Sequence, residues 1–364
     1  MMPAPRRREP WLDCVRALAI GCVLVGHSAL LMPHWPRLHF LLLCGYMGVE
    51  IFFVLSGFLI GGILWRMAGR FDAQALRRFW LRRWLRTLPN YFLFLMLAAA
   101  LAALGWRDAP HWQGTLWQYA LFAQNLAWRH PDFFAEAWSL SVEEVFYFAL
   151  PLLALLLCAA GRMRARAALA LLAVLIWLAC SAARLVLAQD AALQHLLWDE
   201  DFRKVVLLRL DALVLGVLLA FAWQKWPHVL QRRVPVLALL ACFVWCFAYV
   251  LVTPWQVLQT SHFAKTWLFN LTSPGCAGLL LWGLGRRLRP AFDAVCAFLA
   301  RISYSAYLCN LSVALLLARY SPLRSPPGTA VNVVLFFAAT LGLAWLAWHF
   351  WERRFLRWRD ARLA

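Results

Sequence analysis

Long apolar runs alternate along this chain with short polar joints, most of them basic. A helix needs about 20 mostly apolar residues to cross a bilayer. Ten segments meet that demand: 11–32, 40–65, 89–106, 138–160, 167–188, 205–224, 234–253, 264–285, 296–318 and 329–351. A further apolar stretch, 114–128 (GTLWQYALFAQNLAW), is too short to span and reads as a re-entrant or interfacial helix. The pattern predicts an all-α polytopic integral membrane protein with about ten transmembrane helices. With no internal repeat, long linker or appended soluble domain in view, residues 1–364 are expected to form a single membrane domain. Asp13 and Arg16 interrupt the first run and no small-residue cleavage site follows it, so it reads as a retained helix rather than a signal peptide. Ser273-Pro274-Gly275 is expected to break or kink the eighth span.

Composition excludes the soluble alternatives. Hydrophobic residues make up 64% of the chain and charged residues 15%, with a mean hydropathy of +0.66. Soluble globular proteins run about 45–50% apolar and about 25% charged. The net charge is +19. In a soluble chain that would suggest nucleic acid, but here the basic residues cluster in alternate joints. Arg6, Arg7 and Arg8 open the series, Arg162, Arg164 and Arg166 stand midway, and Arg353, Arg354 and Arg357 lie near its end. The intervening joints carry few cations, among them Arg107 and Arg324. The positive-inside rule then places both termini in the cytoplasm. Tryptophans at span ends, such as Trp11, Trp106, Trp138, Trp282 and Trp351, suit an interfacial belt. The ten cysteines lie in or beside apolar runs without a CxxC pair, so neither a disulfide framework nor a metal site is expected.

Ionisable groups inside a membrane are costly, which makes each a functional candidate. Arg16 and His27 are eleven residues apart on the first helix, a spacing that returns to nearly the same face about 16 Å further along. Taken alone, the pair also fits a hydrogen-bonded core histidine and an arginine that snorkels to phosphates. The second helix contains GVEIFFVLSGFLIGG, with Glu50 deep in the apolar run and with Ser56 and several glycines suited to close helix contact. The fourth opens with AEAWSLSVEEVFYFALP, placing Glu143 and Glu144 in its first turns near the outer side. Adjacent residues point about 100° apart, so at least one carboxylate should face the bundle. A His27–glutamate pairing is geometrically open. The sixth helix begins RLDALVLGVLLA, where Arg209 and Asp211 can neutralise each other. Between the second and third spans lies RRFWLRRWLRTLPNYF. Arg77, Arg78, Arg82, Arg83 and Arg86 there suit either topology or phosphate binding, with Trp80 and Trp84 able to stack on a base.

These pieces in this order resemble the acyltransferase-3 superfamily of integral-membrane O-acyltransferases. The resemblance rests on Arg16-x10-His27, GVEIFFVLSGFLI, RRWLRTLP (Arg82 to Pro89), WSLSVEEVFYFALP, RLDALVLGVLLA and RISYSAYL (Arg301 to Leu308). It implies transfer of an acyl, usually acetyl, group from cytoplasmic acyl-CoA to a hydroxyl of a cell-envelope or exported glycan or its lipid-linked precursor. It also implies a stand-alone form in the bacterial inner membrane, similar to the exopolysaccharide O-acetyltransferases of xanthan-type polymers. Acetyl-CoA is then a co-substrate, with no permanently bound cofactor and no metal. The partners implied are the glycan acceptor, the bilayer and polysaccharide-assembly proteins, and not nucleic acid. His27 is expected to be the general base, with Glu50 or Glu143 orienting it. Arg16 is expected to hold the thioester arm, and Arg77, Arg78, Arg82, Arg83, Arg86 and Trp84 the nucleotide. Ser56, Glu144, Arg209, Asp211 and Tyr304 are expected to support them. Two positions depart from the family pattern. Asn310 follows SYSAYLC where many relatives have histidine, and WERRF lacks the proline that often follows the glutamate, so Glu352 is given no catalytic weight. The rival reading is a glycolipid transporter or flippase whose buried charges form a relay.

Overall fold

The computed structural model describes residues 8–33, 36–106, 112–161, 163–323 and 325–363. Arg6, Arg7, Arg107, Arg162 and Arg324 lie outside the described residues. Every regular element among the described residues is helical. The first seven α-helices are α1 (Pro10–Ser28), α2 (Cys44–Met67), α3 (Ala73–Ala103), α4 (Trp112–Ala120), α5 (Trp138–Ala159), α6 (Ala165–Gln189) and α7 (Asp211–Lys225). The single turn α8 (Pro227–Leu230) leads to α9 (Arg233–Val252), and the short α10 (Trp255–Thr260) and α11 (His262–Lys265) lead to α12 (Trp267–Gly283). The chain closes with α13 (Pro290–Tyr320), α14 (Pro326–Ala347) and α15 (Arg353–Arg362), the last two joined by a π turn at Trp348–Glu352.

Eight helical segments among the described residues are long and apolar enough to cross a membrane. The other two expected spans fold as shorter helices, α7 with 15 residues and α12 with 17. At 1.5 Å per residue these reach about 22 and 26 Å, short of a hydrocarbon core of about 30 Å. The missing length is made of irregular backbone, which membranes tolerate only where protein surrounds it. Ahead of α7 the chain is tied sideways. Val206 N–H donates to the Asn125 carbonyl (2.9 Å) and Leu207 N–H to that of Leu126 (3.1 Å).

Three further expectations need correction. The third helix does not open at residue 89. It opens at Ala73, where the Asp72 side chain accepts from Ala75 N–H (2.8 Å), so most of the arginine-rich stretch is helix and not joint. Leu76 and Phe79 are buried while Arg77, Arg78 and Arg82 are exposed. Averaged hydropathy hides such an amphipathic half-helix. The eighth span is not broken, for α12 runs unbroken through Pro274. There the role of Gly275 is contact, since a Cβ on it would lie 2.8 Å from the Phe243 backbone of α9. Trp11 and Trp138 are buried in protein and not in an interfacial belt, Trp11 lying edge-on to Trp282.

Helix α2 is the most enclosed span, with 78% of its apolar window buried against 17% for α9. It is flanked by α1 on one side and α7 on the other, and α1 in turn packs on α13. The α2–α7 seam brings backbones into touch. A Cβ at Gly57 would lie 2.0 Å from the Leu213 carbonyl oxygen, and one at Gly216 would lie 2.3 Å from that of Val54. Helix α3 crosses outside this core, against α5, α13 and α15.

Candidate active site

Residues of α1, α2, α3, α5 and α13 enclose a cavity of about 290 Å³. Its polar wall is made by Arg16, Ser56, Arg83, Arg86, Thr87, Ser139, Glu143, Ser303, Tyr304 and Tyr307, and its apolar wall includes Phe52, Phe53, Ile60 and Ile63. Glu143 organises it. One carboxylate oxygen accepts from Ser56 Oγ (2.8 Å) and the other faces Arg83 Nη2 (3.2 Å). The Arg83 guanidinium also lies 3.9 Å from the centre of the Tyr147 ring. Glu144 turns to the other side and accepts from Thr87 Oγ1 (3.1 Å), and Tyr304 donates to the Thr87 carbonyl (3.1 Å). Both glutamates therefore face the bundle. Glu143 meets Arg83, ten residues inside α3, or about 15 Å from that helix's start.

Ile60, Ile63, Arg83 and Arg86 line a second, wider hollow of about 790 Å³ as well. This vestibule is walled by Arg66, Arg70, Arg78, Arg82 and Arg359, with Asp72 the one acidic side chain among its lining residues. Seven guanidinium groups thus surround the entrance to the inner cavity. Arg77 is exposed and absent from this wall. Trp84 is absent too. It lines a wholly apolar groove with Leu81, Leu85, Leu88 and Trp351, stacks near Trp80, and so is not placed to receive a base in the vestibule. The same helix that turns Arg78, Arg82 and Arg86 to the vestibule turns Trp84 away from it. Arg359, from the basic stretch near the C-terminus, joins the vestibule because α15 folds back on α3.

Glu50 is not free to orient His27. It belongs to a buried ionic cluster, where Arg209 Nη2 lies 2.5 Å from Glu50 Oε1, Arg184 Nη1 lies 2.7 Å from Asp211 Oδ2, and Arg209 Nε lies 3.5 Å from Asp211 Oδ1. All four side chains are essentially inaccessible. Arg184 Nη2 reaches Asn270 Oδ1 (2.8 Å), so the cluster pins α2, α6 and α7 to α12. Removing one member of such a group leaves an uncompensated buried charge, at a cost of about 3–5 kcal/mol. These residues fix the frame around the cavity without lining it.

His27 lies one α13 turn beyond the cavity. The α13 lining ends at Tyr307, whose hydroxyl is held by Ser139 Oγ (2.6 Å) and the Glu136 carbonyl (3.2 Å). Three residues on, Asn310 faces His27, with Asn310 Oδ1 against His27 Nδ1. Neither Glu50 nor Glu143 is the partner. Asn310 Nδ2 donates to the carbonyls of Tyr307 (2.7 Å) and Ala306 (3.0 Å), which fixes the amide with its oxygen toward the ring. An acceptor oxygen there assigns the proton to Nδ1 and leaves Nε2 with a lone pair. Sequence reading marked Asn310 only as a departure; its side-chain role required α1 and α13 to be seen side by side. Arg203 and Lys204, from the segment before α7, lie within electrostatic reach of the ring. Arg203 is braced by Asp199 (2.5 Å) and lies 4.8 Å from the Trp138 ring. Burial alone would raise the Asp199 carboxyl, but Arg203 and Lys204 hold it well below the usual carboxylate range. Arg16, about 16 Å from His27 along α1, lines the cavity and pairs with Asp13 (3.3 Å).

The fold and this site define a class: a polytopic helical membrane protein whose bundle encloses a charged cavity continuous with a basic vestibule. The chain belongs to the acyltransferase-3 family, whose acyltransferase domain matches residues 9–349. A Staphylococcus aureus protein named as an O-acetyltransferase is 23% identical over 333 residues, 84% of this chain and 51% of its own length. The peptidoglycan O-acetyltransferase OatA of Listeria monocytogenes is 28% identical over 158 residues, 40% of this chain and 24% of its own length. YrhL of Bacillus subtilis, named for peptidoglycan O-acetylation, is 32% identical over 158 residues, with the same coverage of 40% and 24%. The chain thus spans about half, or about a quarter, of the relatives it matches. No solved structure matches it.

Proposed function

We propose that this protein is a membrane O-acyltransferase of the bacterial inner membrane. It moves an acetyl group from acetyl-CoA on its basic, cytoplasmic face to a hydroxyl of a cell-envelope or exported glycan or its lipid-linked precursor. The observation that carries this reading is the vestibule of seven arginines leading through Arg83 and Arg86 into a smaller cavity with one polar and one apolar wall. Arginine forks suit the phosphates of a nucleotide, and only a slim arm fits beyond them. The positive-inside rule makes the vestibule cytoplasmic. The relatives' names, which speak of O-acetylation and of peptidoglycan, support a glycan hydroxyl as acceptor.

In this reading the pantetheine arm enters past Arg83 and Arg86 and its thioester advances toward Tyr307. His27 Nε2 takes the proton of the acceptor hydroxyl as that oxygen attacks the thioester carbon. The carbon–sulfur bond breaks, and the imidazolium returns its proton to the leaving thiolate. Asn310 holds the ring in the tautomer this requires. Arg83, in the cavity, stabilises the oxyanion, while Arg16, about 16 Å from His27 along α1, holds the donor's arm.

The test uses sealed vesicles of known orientation. Acetyl-CoA supplied only at the basic face should acetylate a glycan presented at the other, with free coenzyme A appearing where the donor was added. Product formed only when donor and acceptor share the basic side would overturn the through-bundle path. A glycan that crosses unmodified would establish transport instead.

A further inference from the structure

Three hollows meet at Arg86. The inner cavity touches it together with Arg16 and Arg83, and the vestibule together with Arg83 and Arg359. A third pocket, of about 370 Å³, touches it together with Arg16 and Arg359. This side pocket lies between the start of α1, the third turn of α13 and the π turn that joins α14 to α15. Its wall is of two kinds. Ala297, Ala300, Leu356 and the Trp348 indole form an apolar side. The rest is made of five guanidinium groups and the carboxylates of Asp13 and Glu352.

Both carboxylates are already engaged. Asp13 faces Arg8 (2.6 Å) and Arg16 (3.3 Å), while Glu352 accepts from Asn90 Nδ2 (2.8 Å) and Ser305 Oγ (3.2 Å). Arg8 also meets Asp293, and Arg359 meets Asp360. Arg86 and Arg301 make no salt bridge within 4 Å among the described residues, and Arg86 lies in the field of Glu352. The Arg301 guanidinium lies 5.1 Å from the centre of the Trp348 ring, and that of Arg353 lies 5.8 Å from it. A phosphate fork therefore rests on an indole in one pocket, so that a base can take the ring as Arg301 turns to a phosphate, and the wide basic vestibule and the arm-sized cavity branch from the same Arg86.

Coenzyme A has the same three parts: a slim thiol arm, a diphosphate, and an adenosine phosphorylated at its 3′ position. We propose that the side pocket takes the 3′-phosphoadenosine end of the donor, with adenine against Trp348 and the 3′-phosphate on Arg301. The diphosphate then lies at the Arg86–Arg359 junction and the arm runs into the inner cavity. This assignment rests on the acyl-CoA reading above and specifies it. An anionic phospholipid headgroup also offers a phosphate to Arg301, but it has no purine for Trp348.

Calorimetry on the full chain in zwitterionic nanodiscs tests it, with coenzyme A and 3′-dephospho-coenzyme A as probes. Wild type should bind the dephospho form about tenfold more weakly, the scale of a lost charge-assisted contact. Arg301→Gln, at an exposed position, should weaken coenzyme A about tenfold and leave the dephospho form within about twofold. Arg82→Gln, in the vestibule, should weaken both. Equal weakening of both probes by Arg301→Gln, or a wild type blind to the 3′-phosphate, overturns the assignment. So does a coenzyme A affinity that anionic lipid lowers in wild type but not in Arg301→Gln, because a headgroup then owns the pocket. If neither probe binds, the donor reading falls with this one. If both bind with the expected preference and no transfer is detected, only the transferase reading falls.

Discussion

At the scale of single residues, the pairing of His27 with Asn310 decides what the ring can do. A carboxylate there would accept from Nδ1 and stabilise the imidazolium. The amide fixes the tautomer without adding charge, so the residue that departs from the family pattern still holds the ring as the proposed general base requires. His27→Ala should lower the turnover of a purified preparation about 10²–10⁴-fold. Asn310→Leu, which keeps the volume and removes the acceptor, should lower kcat about tenfold with little change in donor KM. An Asn310→Leu enzyme with wild-type kcat would detach the ring's orientation from catalysis. Spacing alone made Arg16 and His27 visible, since both lie on one helix. Their partners were not legible, because Asn310 is 283 residues from His27 and Glu143 is 87 from Ser56. Such contacts depend on which helices become neighbours, and hydropathy is silent about that.

At the scale of elements, small residues set how closely helices approach, and that spacing shapes the cavity. Gly57 lies one residue beyond Ser56, whose hydroxyl holds Glu143, so a shift of α2 away from α7 moves the site directly. Gly57→Val should lower the thermal midpoint in detergent, at an overpacking cost of about 1–3 kcal/mol, and should reduce activity as well. Gly21→Val, where nothing lies within 4 Å of the new Cβ, serves as the control. Equal midpoints for the two variants would show that the α2–α7 seam can relax. Span positions were largely readable because about 20 apolar residues in a row leave few alternatives. The start of α3 was not, because a helix that alternates Leu76 and Phe79 with arginines averages to a polar stretch. The shortness of α7 and α12 escaped for a related reason. Their flanking sequence is apolar enough to be read as span, while its backbone is held by neighbours such as Asn125 and not by an α-helical ladder.

At the scale of the whole molecule, charge is sorted along one axis. The starts of α1, α3 and α13 and the whole of α15 gather arginines on one face, and three hollows converge beneath it. The opposite side has a smaller set of paired ions around Asp199 and Asp201, with Arg203 reaching in toward His27. The buried cluster of Glu50 and Arg209 also has a history, because its two members are 159 residues apart in the order of synthesis. At 5–20 residues per second, Glu50 reaches the bilayer about 8–30 s before its counter-ion exists. An acidic side chain in mid-membrane is costly to insert, so α2 must wait beside the insertion machinery or in partial contact with water. The ribosome's schedule thus leaves a window in which quality control can act. A chain halted at residue 204 should be degraded faster in a pulse-chase than one halted at 232, and Glu50→Gln should bring the two lifetimes together. Equal lifetimes without that substitution would mean that something other than Arg209 shelters the carboxylate while the rest of the bundle is still being made.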